Sequence, residues 1–221
     1  MSQHFKLTII SSIFIAGLLA ANLLGSKVTN LFGIAVSVGI FAYPLTFMMT
    51  DAIAEVYGKK KAKQIVWAAL IAQILVLILT WVAVKLPAAS RYTFNEEYVL
   101  VFSNSLRMMI ASLIAFIVSQ THDIWAFEFW KEKMHGKALW LRNNASTIVS
   151  QAIDTLLFMF IAFYGISDKF TVGFILHLCI SYWLFKVLFA LIDTPFVYLL
   201  VNWLRKPGKE DEVADNNPLQ I

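Results

Sequence analysis

Charge is scarce in this chain: of its 221 residues only 14% are Asp, Glu, Lys or Arg, against 59% that are hydrophobic. Soluble domains carry roughly 25% charged residues. With a mean hydropathy of +0.71, an ordinary cytosolic enzyme and a disordered tail protein are both excluded. Cysteine is limited to Cys179, inside an apolar run, so there is neither a disulfide framework nor a cysteine-based zinc site. The four histidines, His4, His122, His135 and His177, make no HExxH or similar metal spacing. A GxSxG nucleophile elbow is absent, as is a GxxxxGK[S/T] phosphate loop, so any coupling to ATP would have to come from another chain. Asp154 and Asp193 lack the Gly-x-Gly-Asp context of an intramembrane aspartyl dyad. No enzymatic activity, metal or cofactor is expected.

What the chain has in abundance is long apolar runs, at residues 7–25, 31–50, 65–84, 107–125, 147–165 and 173–204, with polar or basic connectors between them. A membrane-spanning helix takes about 20 residues. The expected fold is therefore an all-α bundle of six transmembrane helices over residues 1–205, with 206–221 as a solvated tail that opens on Pro207-Gly208 and carries Glu210, Asp211, Glu212 and Asp215. The first run, ending Leu19-Ala20-Ala21, is expected to stay as a span, because no polar mature domain follows it.

The net charge of +4 sits in the connectors, so it reports orientation rather than nucleic-acid binding. Twelve Lys and Arg residues fall at the N-terminus, in the second-to-third and fourth-to-fifth connectors and in the tail, whereas the alternate connectors hold four. Basic residues are retained on the cytoplasmic side, so both termini are expected there. Asp51, Glu55 and Lys59, at i, i+4 and i+8, are expected to share one face of the second helix as it leaves the membrane. Ala16-x-x-x-Ala20 gives the first helix a small-residue face suited to a second protomer.

Function in such a chain is sought in polar groups at membrane depth, where an ionisable side chain is costly unless paired or facing water. These are Asn22 in the first span, Asp51 in the second, Arg107, Gln120 and Asp123 in the fourth, Gln151 and Asp154 in the fifth, and Lys186 and Asp193 in the sixth. Gln73, alone in the third, reads as an interhelical hydrogen bond. At a rise of about 1.5 Å per residue, Asp154 and Lys186 both fall near the middle of their spans. Gln151 and Asp154 share a helix face, as do Lys186 and Asp193. Asn22 and Arg107 fall near the outer ends of their helices and Asp51, Gln120 and Asp123 near the inner ends, so polar layers at three depths suggest a solute route. Permanent pairing, Asp154 with Lys186 for instance, is the competing structural reading. Asp193-Thr194-Pro195 and Tyr43-Pro44 are expected to interrupt or kink their helices.

Four segments carry a resemblance: Tyr43-Pro-Leu-Thr-Phe-Met-Met-Thr-Asp-Ala-Ile-Ala-Glu-Val-Tyr-Gly58, the stretch from Arg107 through Gln120 and Asp123 to Phe127, Asn144-Ala-Ser-Thr-Ile-Val-Ser-Gln-Ala-Ile-Asp-Thr155, and Phe185-Lys186-Val187 with Asp193-Thr-Pro195. In this order they resemble the queuosine precursor transporter family of the vitamin-uptake-transporter group. The resemblance implies a bacterial inner-membrane importer of 7-cyano-7-deazaguanine and 7-aminomethyl-7-deazaguanine. It also implies similarity to the six-helix substrate-binding subunits of energy-coupling-factor transporters. Family positions map onto Asp51, Arg107, Gln120, Asp123, Ser146, Gln151, Asp154, Lys186 and Asp193. A guanine-like base offers N–H donors to a carboxylate, a carbonyl to Lys, Arg or an amide, and a flat face for stacking. That makes Asp154 the expected acceptor, Gln151 its partner, Lys186 donor or counterion and Arg107 an outer contact, with Phe41, Tyr43, Trp125 and Trp183 as stacking surfaces. A base that arrives neutral is compatible with proton coupling through Asp154 or Asp51. A subunit of an energy-coupling-factor transporter and a non-transporting scaffold are the alternatives.

Overall fold

A computed structural model describes residues 2–31, 33–133, 139–192 and 194–206. Among these residues the helices run in the order α1 (Gln3–Leu24), α2 (Tyr43–Tyr57), α3 (Lys59–Lys85), α4 (Asn95–Lys133), α5 (Leu139–Phe163), α6 (Val172–Ile192) and α7 (Thr194–Arg205). Between α1 and α2 lie strands β1 (Val28–Leu31) and β2 (Ile34–Ser37) and a short 3-10 turn, Val38–Phe41. Among the described residues three segments, Gln3–Leu24, Lys60–Lys85 and Asn95–Ser119, are long and apolar enough to cross a bilayer, and Ile148–Phe163 and Val172–Lys186 are shorter apolar helices. The protein is thus a largely helical membrane protein, as composition demanded.

Residues 31–50 depart from the single helical span expected of them. Val28, Thr29, Ile34 and Val36 are β-branched and suit a strand. Gly33 takes φ 84°, a left-handed conformation that a residue with a Cβ avoids, and the chain folds back with Leu31 opposite Ile34 and Val28 opposite Ser37. The hairpin satisfies its own backbone groups, which an apolar run must do whichever structure it adopts. Helix α2 starts only at Tyr43, and Pro44 lies in its first turn, where a missing N–H costs nothing. That proline opens a helix instead of kinking one. At the other end the Gly58 N–H donates to the Ala54 carbonyl with φ 83° and stops α2, so Lys59 belongs to α3 and does not extend the Asp51 and Glu55 face. Glu55 instead meets Arg205 at 2.9 Å on the surface.

The chain divides into two compact units. The first comprises Met1–Ala21, Gly39–Ile78 and Lys186–Ile221. Its core is built from one stripe of each helix, Ile10 and Phe14 of α1, Met49, Ala52 and Ile53 of α2, Ile65 and Ala69 of α3, and Val201 and Leu204 of α7. Gly17 lets α1 approach α2 closely: a Cβ there would stand 3.2 Å from Cγ2 of Thr46. Ile71, Ile74, Leu75 and Ile78 of α3 are exposed, an apolar face for lipid, while Gln73 between them is fully buried.

The second unit comprises Asn22–Val38 and Leu79–Phe185. Helix α4, with 39 residues, is about 58 Å long, well beyond the roughly 30 Å of a bilayer's hydrocarbon. It packs on α5, and Ala111, Ala115 and Ser119, at i, i+4 and i+8, are buried along it. Small residues permit close helix approach where burial from water supplies no driving force between helices.

Candidate functional site

Helices α4 and α5 are tied at both ends of their contact. Near one end Arg107 Nε donates to the Ile161 carbonyl at 2.6 Å, and a terminal guanidinium nitrogen donates to the carbonyl of Tyr164. Ile161 lies in the last turn of α5, whose carbonyls lack helical partners, and a cation there also complements the helix dipole. Near the other end His122 Nδ1 is 3.0 Å from Ser150 Oγ. Arg107 and His122 are separated by fifteen positions on α4, about 22 Å along the helix, so the pairs mark two levels of one antiparallel contact.

Asp154 lies between those levels, half-buried, one turn beyond Ser150 on α5. Gln151, three residues before it, is exposed, and its carbonyl accepts from Thr155 Oγ1 at 2.9 Å. Asn22 is 4% exposed near the end of α1. The neighbouring Leu23 carbonyl accepts from Ser105 Oγ at 2.7 Å, which places that end of α1 beside the turn of α4 that carries Arg107. Asp154, Gln151, Arg107 and Asn22 therefore belong to one unit.

Asp51 and Lys186 belong to the other unit. Asp51 is exposed on α2, and Lys186 is half-buried on α6. Neither of these, nor Asp154, is without an interaction in the protein. Asp193 and the side chains of Gln120, Asp123, Ser146 and Tyr43 lie outside the described residues, and with Asp193 goes the expected interruption of the sixth segment. Among the stacking candidates, Phe41 and Trp125 are exposed. Trp183 lines an apolar groove of about 180 Å³ with Ala152, Thr155, Leu156, Cys179 and Ile180, too poor in polar groups to read a base edge. Among the described residues no cluster of three or more His, Cys, Asp or Glu side chains gathers.

Sequence reasoning passed over several polar residues that the structure employs. Ser37, buried, donates to the Gly25 carbonyl at 2.6 Å, and its own carbonyl accepts from Tyr182 of α6 at 3.4 Å. With the bond from the Val38 N–H to the Lys27 carbonyl, this ties the hairpin base to the segment that follows α1 and to α6. His122 and Ser150 carry no sequence signal for each other, being 28 positions apart on different helices.

A family model described as "Putative vitamin uptake transporter" matches residues 37–200. Among curated relatives, the "Probable queuosine precursor transporter" of Bacillus subtilis (strain 168) is 34% identical over 180 residues, covering 80% of this chain and 77% of the relative. The "Queuosine precursor transporter" of Escherichia coli (strain K12) is 25% identical over 93% of this chain and 91% of its own length. A Haemophilus influenzae (strain ATCC 51907 / DSM 11121 / KW20 / Rd) protein named "Probable queuosine precursor transporter" is 26% identical over 70% of this chain and 63% of its own. No solved structure matches the chain. An apolar helical chain with charged groups set into its helices, matched from Ser37 to Leu200 by the family model and over 80% of its length by the Bacillus subtilis protein, belongs to the queuosine precursor transporter family of the vitamin-uptake-transporter group.

Proposed function

We propose that the protein imports 7-cyano-7-deazaguanine and 7-aminomethyl-7-deazaguanine across the bacterial inner membrane, as a six-span carrier with both termini in the cytoplasm. The observation that carries this reading is the 34% identity to a relative named a queuosine precursor transporter over 80% of the chain, joined to a half-buried carboxylate, Asp154, in an apolar helix. In the proposed site Asp154 accepts the ring N–H and exocyclic amine of the base and Gln151 supplies an amide beside it; Lys186 is proposed, from the sequence, as a donor to the base carbonyl or a counterion. Asn22, Asp51, Gln120, Asp123 and Asp193 are the further polar positions proposed for the route. Arg107 serves there by holding the end of α5, the helix that carries Asp154.

The proposed topology draws support from Lys6, whose Nζ donates to the carbonyls of Trp203 and Lys206. The start of α1 and the end of α7 thus share one end of their unit, as an even number of crossings requires. The excess of basic residues in the tails and alternate connectors assigns that end to the cytoplasm. Resemblance to energy-coupling-factor subunits and a homodimer through the Ala16 and Ala20 face of α1 belong to the same proposal; light scattering of the solubilised protein measures the oligomer directly. The transport claim is tested by reconstituting the purified chain alone in liposomes with labelled precursor base. Uptake supports a carrier, binding without uptake a subunit that needs an ATPase partner, and neither a scaffold.

A further inference from the structure

We propose that import is driven by protons and that His122, through Ser150, is the group that delivers the coupled proton to the cytoplasm; the inference rests on the import reading above. Imidazole is the side chain that ordinarily exchanges protons near neutral pH, and chains of Asp and His inside membrane helices are a recurrent form of proton relay. His122 is joined across the α4 and α5 contact to the buried Ser150 by the 3.0 Å contact of Nδ1 with Oγ. Ser150 and Asp154, four residues apart, stand on the same face of α5 with Cβ atoms about 5–6 Å apart. Carboxylate, hydroxyl and imidazole therefore follow one another from the middle of α5 toward its start, the end that the distribution of basic residues assigns to the cytoplasm.

The arrangement moves a proton without net chemistry. Asp154 takes up one proton from the outer side before the base arrives and, as the base binds, passes it to the Ser150 oxygen while the Ser150 hydroxyl proton goes to Nδ1 of the neutral imidazole. The carboxylate so regenerated accepts the N–H donors of the base, the imidazolium releases one proton to the cytoplasm, and serine and histidine are unchanged as one proton enters with each base. The ring of His122 also packs against Trp125, with centroids 5.9 Å apart, which limits its rotation. The charged residues nearest it in sequence on the two packed helices are Asp123 and Glu128 on α4 and Arg142 and Asp154 on α5. Asp154, one turn from Ser150, shares its face of α5.

Proteoliposomes containing the full chain test this with labelled precursor base in two modes. Accumulation against a gradient is driven by an acidic outside, and exchange of external for internal base runs without any proton gradient. The wild-type protein is expected to accumulate base when the outside is acidic and to lose accumulation with a protonophore. His122→Asn keeps a polar atom at the Nδ1 position but cannot carry the proton, so it is expected to lose accumulation and retain exchange. Ser150→Ala, which leaves the imidazole intact, is expected to slow accumulation relative to exchange and covers the case in which the histidine variant does not fold. Proton-independent accumulation by the wild type, or accumulation by both variants equal to the wild type, overturns the proposal. Absence of both uptake and exchange in the wild type removes the import reading itself, and the coupling with it.

Discussion

The ammonium of Lys6 sits 2.8 Å from the carbonyl oxygen of Trp203, 197 residues further along the chain, and a second bond of 2.6 Å reaches the carbonyl of Lys206. Lys6 is only 5% exposed, and its charge lies over the Trp203 ring at 5.4 Å from the centroid. A buried ammonium needs compensation, and the unpaired carbonyls at the end of α7 provide it.

Lys6→Met is accordingly expected to lower thermal stability, by about 1.5 to 3 kcal/mol for the lost charged hydrogen bonds. Trp203→Leu, which removes the ring and leaves the carbonyls, should cost less, about 0.5 to 2 kcal/mol. Thermal melts of the purified variants measure both, and equal losses would mean that the ring rather than the carbonyls holds the ammonium.

The meeting of the start of α1 with the end of α7 bears on topology. A reporter fused after Arg205 should be active only in a cytoplasmic format, and one inserted near Glu96-Glu97 only in an external one. The reverse pattern, or two signals on the same side, would sink the six-span arrangement.

Arg107 is expected to act on α5 more than on substrate. Arg107→Gln leaves the Ile161 and Tyr164 carbonyls without their cation, so the melting temperature should fall. Arg107→Lys should recover part of the loss, since a single ammonium does not reproduce the guanidinium fork. A glutamine variant as stable as the wild type but with a raised KM for uptake would reassign Arg107 to the substrate.

Asp154→Asn should weaken precursor uptake while leaving protein in the membrane, because the amide keeps the shape but removes an anionic acceptor worth roughly 1.5 to 3 kcal/mol. Lys186→Met should do likewise. A permanent structural pair behaves differently: each single change destabilises, and a double change to neutral residues of similar volume restores stability and uptake together. Uptake and thermal stability of the two singles and the double separate the cases, and full transport by the double variant would free both residues from any substrate role.

Gly17 and Thr46 give a test of the first unit's packing. Gly17→Ala places a methyl 3.2 Å from Thr46 Cγ2, and overpacking of this kind costs about 1 to 3 kcal/mol. Adding Thr46→Ser removes that Cγ2 and should return most of the loss. If the second change brings no recovery, the strain lies elsewhere on α1.

The sequence by itself determined that this is a helical membrane protein, where most of its apolar segments lie, which family it belongs to and which polar residues stand within its helices. Transfer of side chains out of water is nearly additive along a chain, so hydropathy and the spacing of charges carry that information. Tertiary structure decided how backbone groups are satisfied, to which hydropathy is blind. Residues 31–41 are apolar enough for a helix yet form a hairpin and a 3-10 turn, because β-branched side chains and Gly33 let the segment pair with itself. Arg107 and Lys6, read in sequence as an outer polar contact and a topological marker, are each held by helix-end carbonyls, 54 positions away for Ile161 and 197 for Trp203, a separation at which no local pattern reveals the partner. His122 and Ser150, 28 positions apart, become a pair only because α5 folds back along α4.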